Sequence, residues 1–274
     1  MGTGVIRLVS LPLRRSLMHA NPRVLRGVCG IAILVLLWDV SARLSGLGSY
    51  FYPGPLDVVE AFRDLAWKGI LPSYLVDSAG RYFLAVLSGT VLGIVFAIVI
   101  GSSLLLNRIF SPFINFMFSI VEVAWVPLFA IWWGYGLETI VVSVAYVVFF
   151  PILYNTLSGL KSVPEHYLRA AQTLGATPLQ VLLSVRLPAA LPHMIAGFRV
   201  GAGFAYRGLI FAEIVAAKSG IGYLIFEGVQ TQQTAKTMVG MIVMGLSWLF
   251  IDAFFLKPLQ QATVERWGTI NVND

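Results

Sequence analysis

Four charged side chains stand where a chain of this character can least accommodate them: Glu122, Arg199, Arg207 and Glu213 all lie inside apolar runs. A charge held within a bilayer is costly and normally faces a protein interior or a watery path. These residues are therefore candidates for pairing with one another or for contacting a solute. The aromatic residues Trp125, Trp132, Trp133 and Tyr206 lie near them and could line the same route or sit at the membrane interfaces. Bond-making chemistry has little to work with. His19, His166 and His193 have no metal-ligand spacing, and the single Cys29 offers neither a disulfide nor a metal site. Gly159-Leu-Lys-Ser162 has the flavour of a phosphate-binding loop without its spacing. Glu122, Arg207 and Glu213 make no recognised catalytic constellation. The chain is expected to be no enzyme and to bind no cofactor or metal of its own.

The elements that must position these charges follow from composition. Of 274 residues, 58% are hydrophobic and only 12% charged, with a mean hydropathy of +0.82. Soluble domains carry about 25% charged residues; a chain this apolar belongs largely in lipid. The fold class expected is all-α: a polytopic membrane protein with six spans. These are Val28–Leu44, Tyr82–Leu106, Ser111–Tyr135 with a kink candidate at Pro127, Thr139–Leu160, Pro192–Ala217 and Thr237–Leu256. Val40-Ser41-Ala42 resembles a signal-peptide cleavage site, but the charges Asp39 and Arg43 favour an uncleaved anchor. The domains expected are an N-terminal cytoplasmic segment (1–27), a transmembrane domain (28–257) with a cytoplasmic loop (161–188), and a cytoplasmic tail (258–274).

The net charge of +6 is scattered beside apolar runs, which excludes a nucleic-acid face and points to topology. With six spans, one side collects Arg7, Arg14, Arg15, Arg23, Arg26, Arg108, Lys161, Arg169, Arg186, Lys257 and Arg266. The other side has Arg43, Arg63, Lys68, Arg81, Lys218 and Lys236. The richer side is cytoplasmic, and both termini belong to it. Small residues at Gly89, Gly93, Ala97 and Gly101 make a ladder for close helix approach, within the protein or across a dimer. Outside, Pro55–Leu71 has Val58, Phe62, Leu65 and Ala66 on one face, as a short surface helix would.

The long cytoplasmic loop is polar and punctuated. Ser162-Val-Pro-Glu165 and Thr177-Pro-Leu-Gln180 both read as capping boxes, each opening a short helix. Val163, Tyr167, Ala170, Ala171 and Leu174 share a face of the first helix, and Gly175 ends it. The second should stop near Leu187, because Pro188 and Pro192 oppose continuation. A bent pair of helices hinged on Gly175 is expected.

The pattern Ala170-Ala171-x3-Gly175-x9-Val185-x-Leu187-Pro188 resembles the "EAA" loop of ATP-binding-cassette importer permeases. Arg169 stands where that motif has its Glu, as in the nitrate/sulfonate/taurine branch. Ser78–Gly101, Ala124–Gly136 and Gly197–Ile225 resemble segments of the same branch, and the likeness runs roughly from Tyr50 to Lys257. Phe118–Val123 departs from it, as does the neighbourhood of Tyr206 and Arg207.

The resemblance implies a permease in the bacterial inner membrane that moves a small anionic or zwitterionic organic solute by alternating access. Aromatic carboxylates and thiamine-precursor pyrimidines are alternative cargoes; an ATPase-independent secondary transporter is the alternative class. The partners implied are two copies of a cytoplasmic ATPase that carries ATP and Mg, a second permease copy, and an extracytoplasmic substrate-binding protein. Glu165, Tyr167, Arg169, Ala170, Ala171, Leu174, Gly175, Leu187 and Pro188 are then the ATPase-coupling residues. Glu122, Trp125, Tyr206, Arg207 and Glu213 are the candidates for the solute path.

Overall fold

A computed structural model describes residues 22–46 and 48–261; the predicted N-terminal segment up to residue 21 and the tail from residue 262 lie outside the described residues. The first helix, α1 (Pro22–Leu44), covers the first predicted span. Its far end is tied to the following loop, where Trp38 Nε1 donates to the Pro53 carbonyl at 3.2 Å and the Ser41 and Tyr52 hydroxyls meet at 2.8 Å. One turn, α2 (Gly48–Phe51), leads to the surface helix α3 (Pro55–Trp67). Pro55 opens α3 where no backbone N–H is needed, and Asp57 accepts from the Gly54 N–H at 2.8 Å. Val58 and Leu65 point inward as predicted, while Phe62 is exposed.

Among the described residues, four helical stretches are long and apolar enough to cross a membrane. They are α4 (Ile70–Ser102), α7 (Leu137–Lys161), and the continuous runs Pro178–Ala216 and Thr234–Gln260. A bent pair, α5 (Leu104–Ser119) with Glu122–Trp133, makes a fifth if read as one broken span. The bend is 83° and falls at Ile120 and Val121, both extended. It does not fall at Pro127, the predicted kink. Pro127 sits in the first turn of α6 (Trp125–Trp133), where backbone N–H groups have no intrahelical partner to lose. The second span also ends earlier than predicted: Ser103 turns extended after α4, and Leu104–Leu106 open α5.

Helix α7 is the spine. On one side it meets the glycine ladder of α4, where a Cβ on Gly93 would lie 3.0 Å from the Phe149 carbonyl oxygen and one on Gly101 2.9 Å from Leu160 Cδ1. The ladder thus packs α4 against α7 within one chain. On its other side α7 meets α10 (Leu187–Ala216), where a Cβ on Gly197 would lie 2.6 Å from Asn155 Cβ. Such close approach replaces the apolar drive that lipid removes. Ile140, Val144, Val148 and Ile152 of α7 are buried against Tyr82 and Ala85 on one flank and Ala205 and Leu209 on the other. The chain closes with α11 (Ile221–Gln230) and α12 (Thr234–Ile251), which pack together with α3 through Leu65, Leu224, Ile225 and Val239.

Candidate functional site

Three places hold the predicted functional residues. The first is the punctuated loop. Helix α8 (Glu165–Thr173) ends as Gly175 predicts: its φ is +84°, a left-handed conformation that glycine adopts without Cβ strain. The Ala176 N–H returns to the Ala171 carbonyl at 3.1 Å and the Gly175 N–H to that of Gln172 at 2.9 Å. That pair of bonds is a Schellman cap. The second capping box is formed as well: the Thr177 N–H donates to Gln180 Oε1 at 2.8 Å, and the Gln180 N–H to Thr177 Oγ1 at 3.3 Å. The first box is not formed. The Ser162 hydroxyl donates backward to the Gly159 carbonyl at 2.9 Å, closing α7, and Pro164 stands at the start of α8. Glu165 instead pairs with Arg169 on the exposed surface at 2.6 Å.

The second loop helix does not stop at Pro188. A single turn, α9 (Pro178–Val181), passes through a π-helical turn, Leu182–Arg186, into α10 without interruption. The Leu187 N–H reaches back five residues to the Leu182 carbonyl. A π turn widens the helix and relieves the clash of a proline ring with the preceding turn, so Pro188 is carried within the second position of α10. Tyr167, Ala170 and Leu174 do share a face of α8, and it is exposed: Leu174 is 88% accessible. Leu168 is the residue of α8 that packs inward.

The second place is an ionic node between α4 and α10. Glu213 is fully buried. Its carboxylate accepts from Arg81 Nη1 at 2.9 Å, from the Ser78 hydroxyl at 2.8 and 2.9 Å, and from the Gly222 N–H at 2.9 Å. Arg81 also donates to the Ser219 carbonyl and hydroxyl, at 2.6 and 2.9 Å. Gly220, with φ +111°, lies so close to the Glu213 carboxylate that a side chain there would collide with it. Of the two roles open to Glu213, a lock between spans is the one its contacts with Arg81, Ser78 and Gly222 describe. Sequence reasoning missed Ser78, Arg81 and Ser219, having counted Arg81 only as an outer-side charge. Tyr206 is likewise turned inward, with its hydroxyl on Ser247 and the Met244 carbonyl and its ring against Tyr82 and Trp248. It does not line an open path in this chain.

The third place is the break between α5 and α6. Glu122 follows the break; Trp125 stacks on Phe129 and lies tilted against Tyr146, with ring centroids 5.8 and 5.4 Å apart. Of the pairings open to these charges, neither Glu122 with Arg199 nor Glu122 with Arg207 is made. Arg199 pairs with Asp252 at 3.4 Å instead. Arg207 is exposed on α10, on a stripe with Val200, Phe204 and Phe211. Among the described residues, no group of three or more His, Cys, Asp or Glu side chains is arranged to hold a metal ion.

Residues 89–256 match the family described as binding-protein-dependent transport system inner membrane component. The chain belongs to that family. It is 30% identical over 230 residues to a putative aliphatic sulfonates transport permease protein of Bacillus subtilis, covering 84% of this chain and 83% of that one. It is 31% identical over 245 residues to the taurine transport system permease protein of Escherichia coli, covering 88% and 89%. An amino acid ABC transporter structure shares the fold at a TM-score of 0.59 and 17% identity, covering 75% of this permease and 97% of that chain. This permease is thus a multi-pass inner-membrane subunit of an ATP-binding-cassette importer, non-catalytic itself. Permeases of this kind work with an ATPase and a substrate-binding protein. That membership lends no support to the ATPase-independent carrier.

Proposed function

We propose that the permease works as a homodimer on two ATPase subunits that hold ATP and Mg, with six spans and both termini in the cytoplasm. In this reading 28–257 is the transmembrane domain, and α8 with its neighbours in 161–188 is the coupling element. Glu165, Tyr167, Arg169, Ala170, Ala171, Leu174 and Gly175 meet the ATPase, while Leu187 and Pro188 carry the movement into α10. The cargo is a small organic solute, anionic or zwitterionic, of the sulfonate, taurine or nitrate kind. Glu122, Trp125 and Arg207 belong to its path.

The observation that carries the coupling role is the outward apolar face of α8. Tyr167, Ala170 and Leu174 expose apolar surface on a short helix otherwise held by caps and an Arg169–Glu165 pair. Apolar surface left open on a helix that is otherwise polar calls for a partner. The helical continuity from Thr177 through the π turn into α10 supplies the lever: beyond the Gly175 bend, one unbroken helix leads from α8 into the membrane. Closure of the ATPases on ATP would then drive the permease pair between inward- and outward-open states, a rigid-body switch.

The test is co-purification from membranes with the cognate ATPase. Wild type should bring the ATPase down, and Leu174→Asp should cut recovery about tenfold, the equivalent of about 1.4 kcal/mol, with membrane insertion unchanged. Stable, transport-competent protein needing no ATPase would overturn the reading.

A further inference from the structure

The break between α5 and α6 lies within an apolar bent pair that is long enough to cross a membrane only when its two helices are taken together. Helix α5 is 16 residues long, so at about 1.5 Å per residue its end stands about 24 Å from its start. Backbone that leaves helix geometry at such depth is tolerated only where protein or a polar cavity supplies partners. Glu122 follows that break and borders a cleft of about 110 Å³, whose other walls include Phe118, Tyr146 and Phe204. Phe204 lies on the exposed stripe of α10, and Arg207 follows it by three residues. Residues three apart on a helix are neighbours, so the positive side chain stands one turn from the wall of the cleft that holds the negative one.

Of the four charges set inside apolar runs, Glu122 and Arg207 differ from the other two. Glu213 is held by Arg81, and Arg199 by Asp252. Among the described residues, neither Glu122 nor Arg207 has an ion-pair partner, and neither is fully buried. An uncompensated charge in an apolar span is expensive; Glu122 borders this aromatic cleft, and Arg207 lies one turn along α10 from its Phe204 wall. A simple anion would satisfy Arg207 and be repelled by Glu122. A simple amine would do the reverse. A solute carrying both charges neutralises both.

We propose that Glu122 and Arg207 are the two poles of an intramembrane site for a small zwitterion. Glu122 takes the ammonium group, with the faces of Tyr146, Phe118 and Phe204 adding cation–π attraction. Arg207 takes the acid group through its fork of donors. This rests on the importer reading above and on the α10 stripe facing the solute path.

The test uses the permease–ATPase complex purified without its binding protein, so that recognition by the permease alone is read. Equilibrium binding of taurine is compared with ethanesulfonate, and of β-alanine with propionate; each pair differs in the ammonium group. At least one zwitterion should bind about tenfold more tightly than its matched anion. Glu122→Gln should bring that ratio close to one while sparing the anion. Arg207→Gln should weaken both members of the pair, and Arg207→Lys should recover part of the loss.

Equal binding within both pairs, absence of zwitterion binding, or an undiminished preference in Glu122→Gln would overturn the site. So would dissociation of two permease copies in either variant with solute binding unchanged, which would make the charges a contact between copies. If the wild-type permease fails to hold its ATPase at all, the importer reading itself fails; if it holds the ATPase and shows no preference, only the zwitterion site fails.

Discussion

At the scale of single residues, Glu213 shows what burial does to an intramembrane charge. It is fully enclosed, and Arg81, the Ser78 hydroxyl shared between both carboxylate oxygens, and the Gly222 N–H surround it. Removing one partner of a buried pair typically costs 3–5 kcal/mol, because the survivor keeps its charge without compensation. Arg81→Met should therefore lower stability by about 3–5 kcal/mol, read as an earlier thermal unfolding midpoint in detergent. Arg81→Met with Glu213→Gln removes both charges and should be less damaging than the single Arg81→Met, since coupled sites are not additive. A double variant worse than both singles would argue against a lock between these two groups. The sequence announces Glu213 as a misplaced charge, because carboxylates in apolar runs are rare. It does not announce the partner, which lies 132 residues away and reads locally as one more basic residue near a span end. Arg199 and Asp252, 53 residues apart, pair out of sight of the sequence for the same reason.

At the scale of elements, the loop between α7 and α10 divides into what local rules decide and what they do not. Gly175 and the Thr177–Gln180 box are decided within four residues, so sequence spacing was sufficient for both. Ser162 was not decided locally: one hydroxyl can open α8 or close α7, and the Gly159 carbonyl wins it. Pro188 and Pro192 mislead because the π turn at Leu182–Arg186 relieves the turn before Pro188, and α10 carries Pro192 within it, so neither proline ends the helix. The consequence is a hinge on one side only. Gly175 makes the bend between α8 and α9, whereas α9 runs into α10 as one continuous helix. Gly175→Val places a β-branched residue at φ +84°, a conformation it adopts only under strain of about 1–3 kcal/mol. The variant should insert normally and retain ATP hydrolysis with its ATPase, yet lose most solute transport per ATP in proteoliposomes. Coupling equal to wild type would show that α8 can reorient without the glycine bend.

At the scale of the molecule, the two faces of α10 divide the labour. One face is packed against α7 through Gly197 and Gly201, closely enough that a Cβ at either would press on α7. The neighbouring face, about a quarter turn round the helix, presents Val200, Phe204, Arg207 and Phe211, all exposed, along three turns of a membrane helix. An arginine in that stripe argues against lipid as the neighbour, because lipid gives it no partner. In the proposed homodimer, this exposed stripe is the surface that the two copies would turn toward each other around a shared path. The sequence alone carries the apolar run and its charges but leaves the choice of face open, since glycines and aromatics recur on all sides of α10. The packing against α7 makes that choice. A cysteine at Val200 or Phe204, with Cys29 replaced by Ser, should form a disulfide-linked dimer in native membranes on mild oxidation. A cysteine at Gly245, on α12 and clear of neighbouring atoms within the chain, should remain monomeric under the same oxidant. Equal cross-linking at both positions would mean chance collision in the bilayer, and the α10 stripe would lose its claim to the dimer axis.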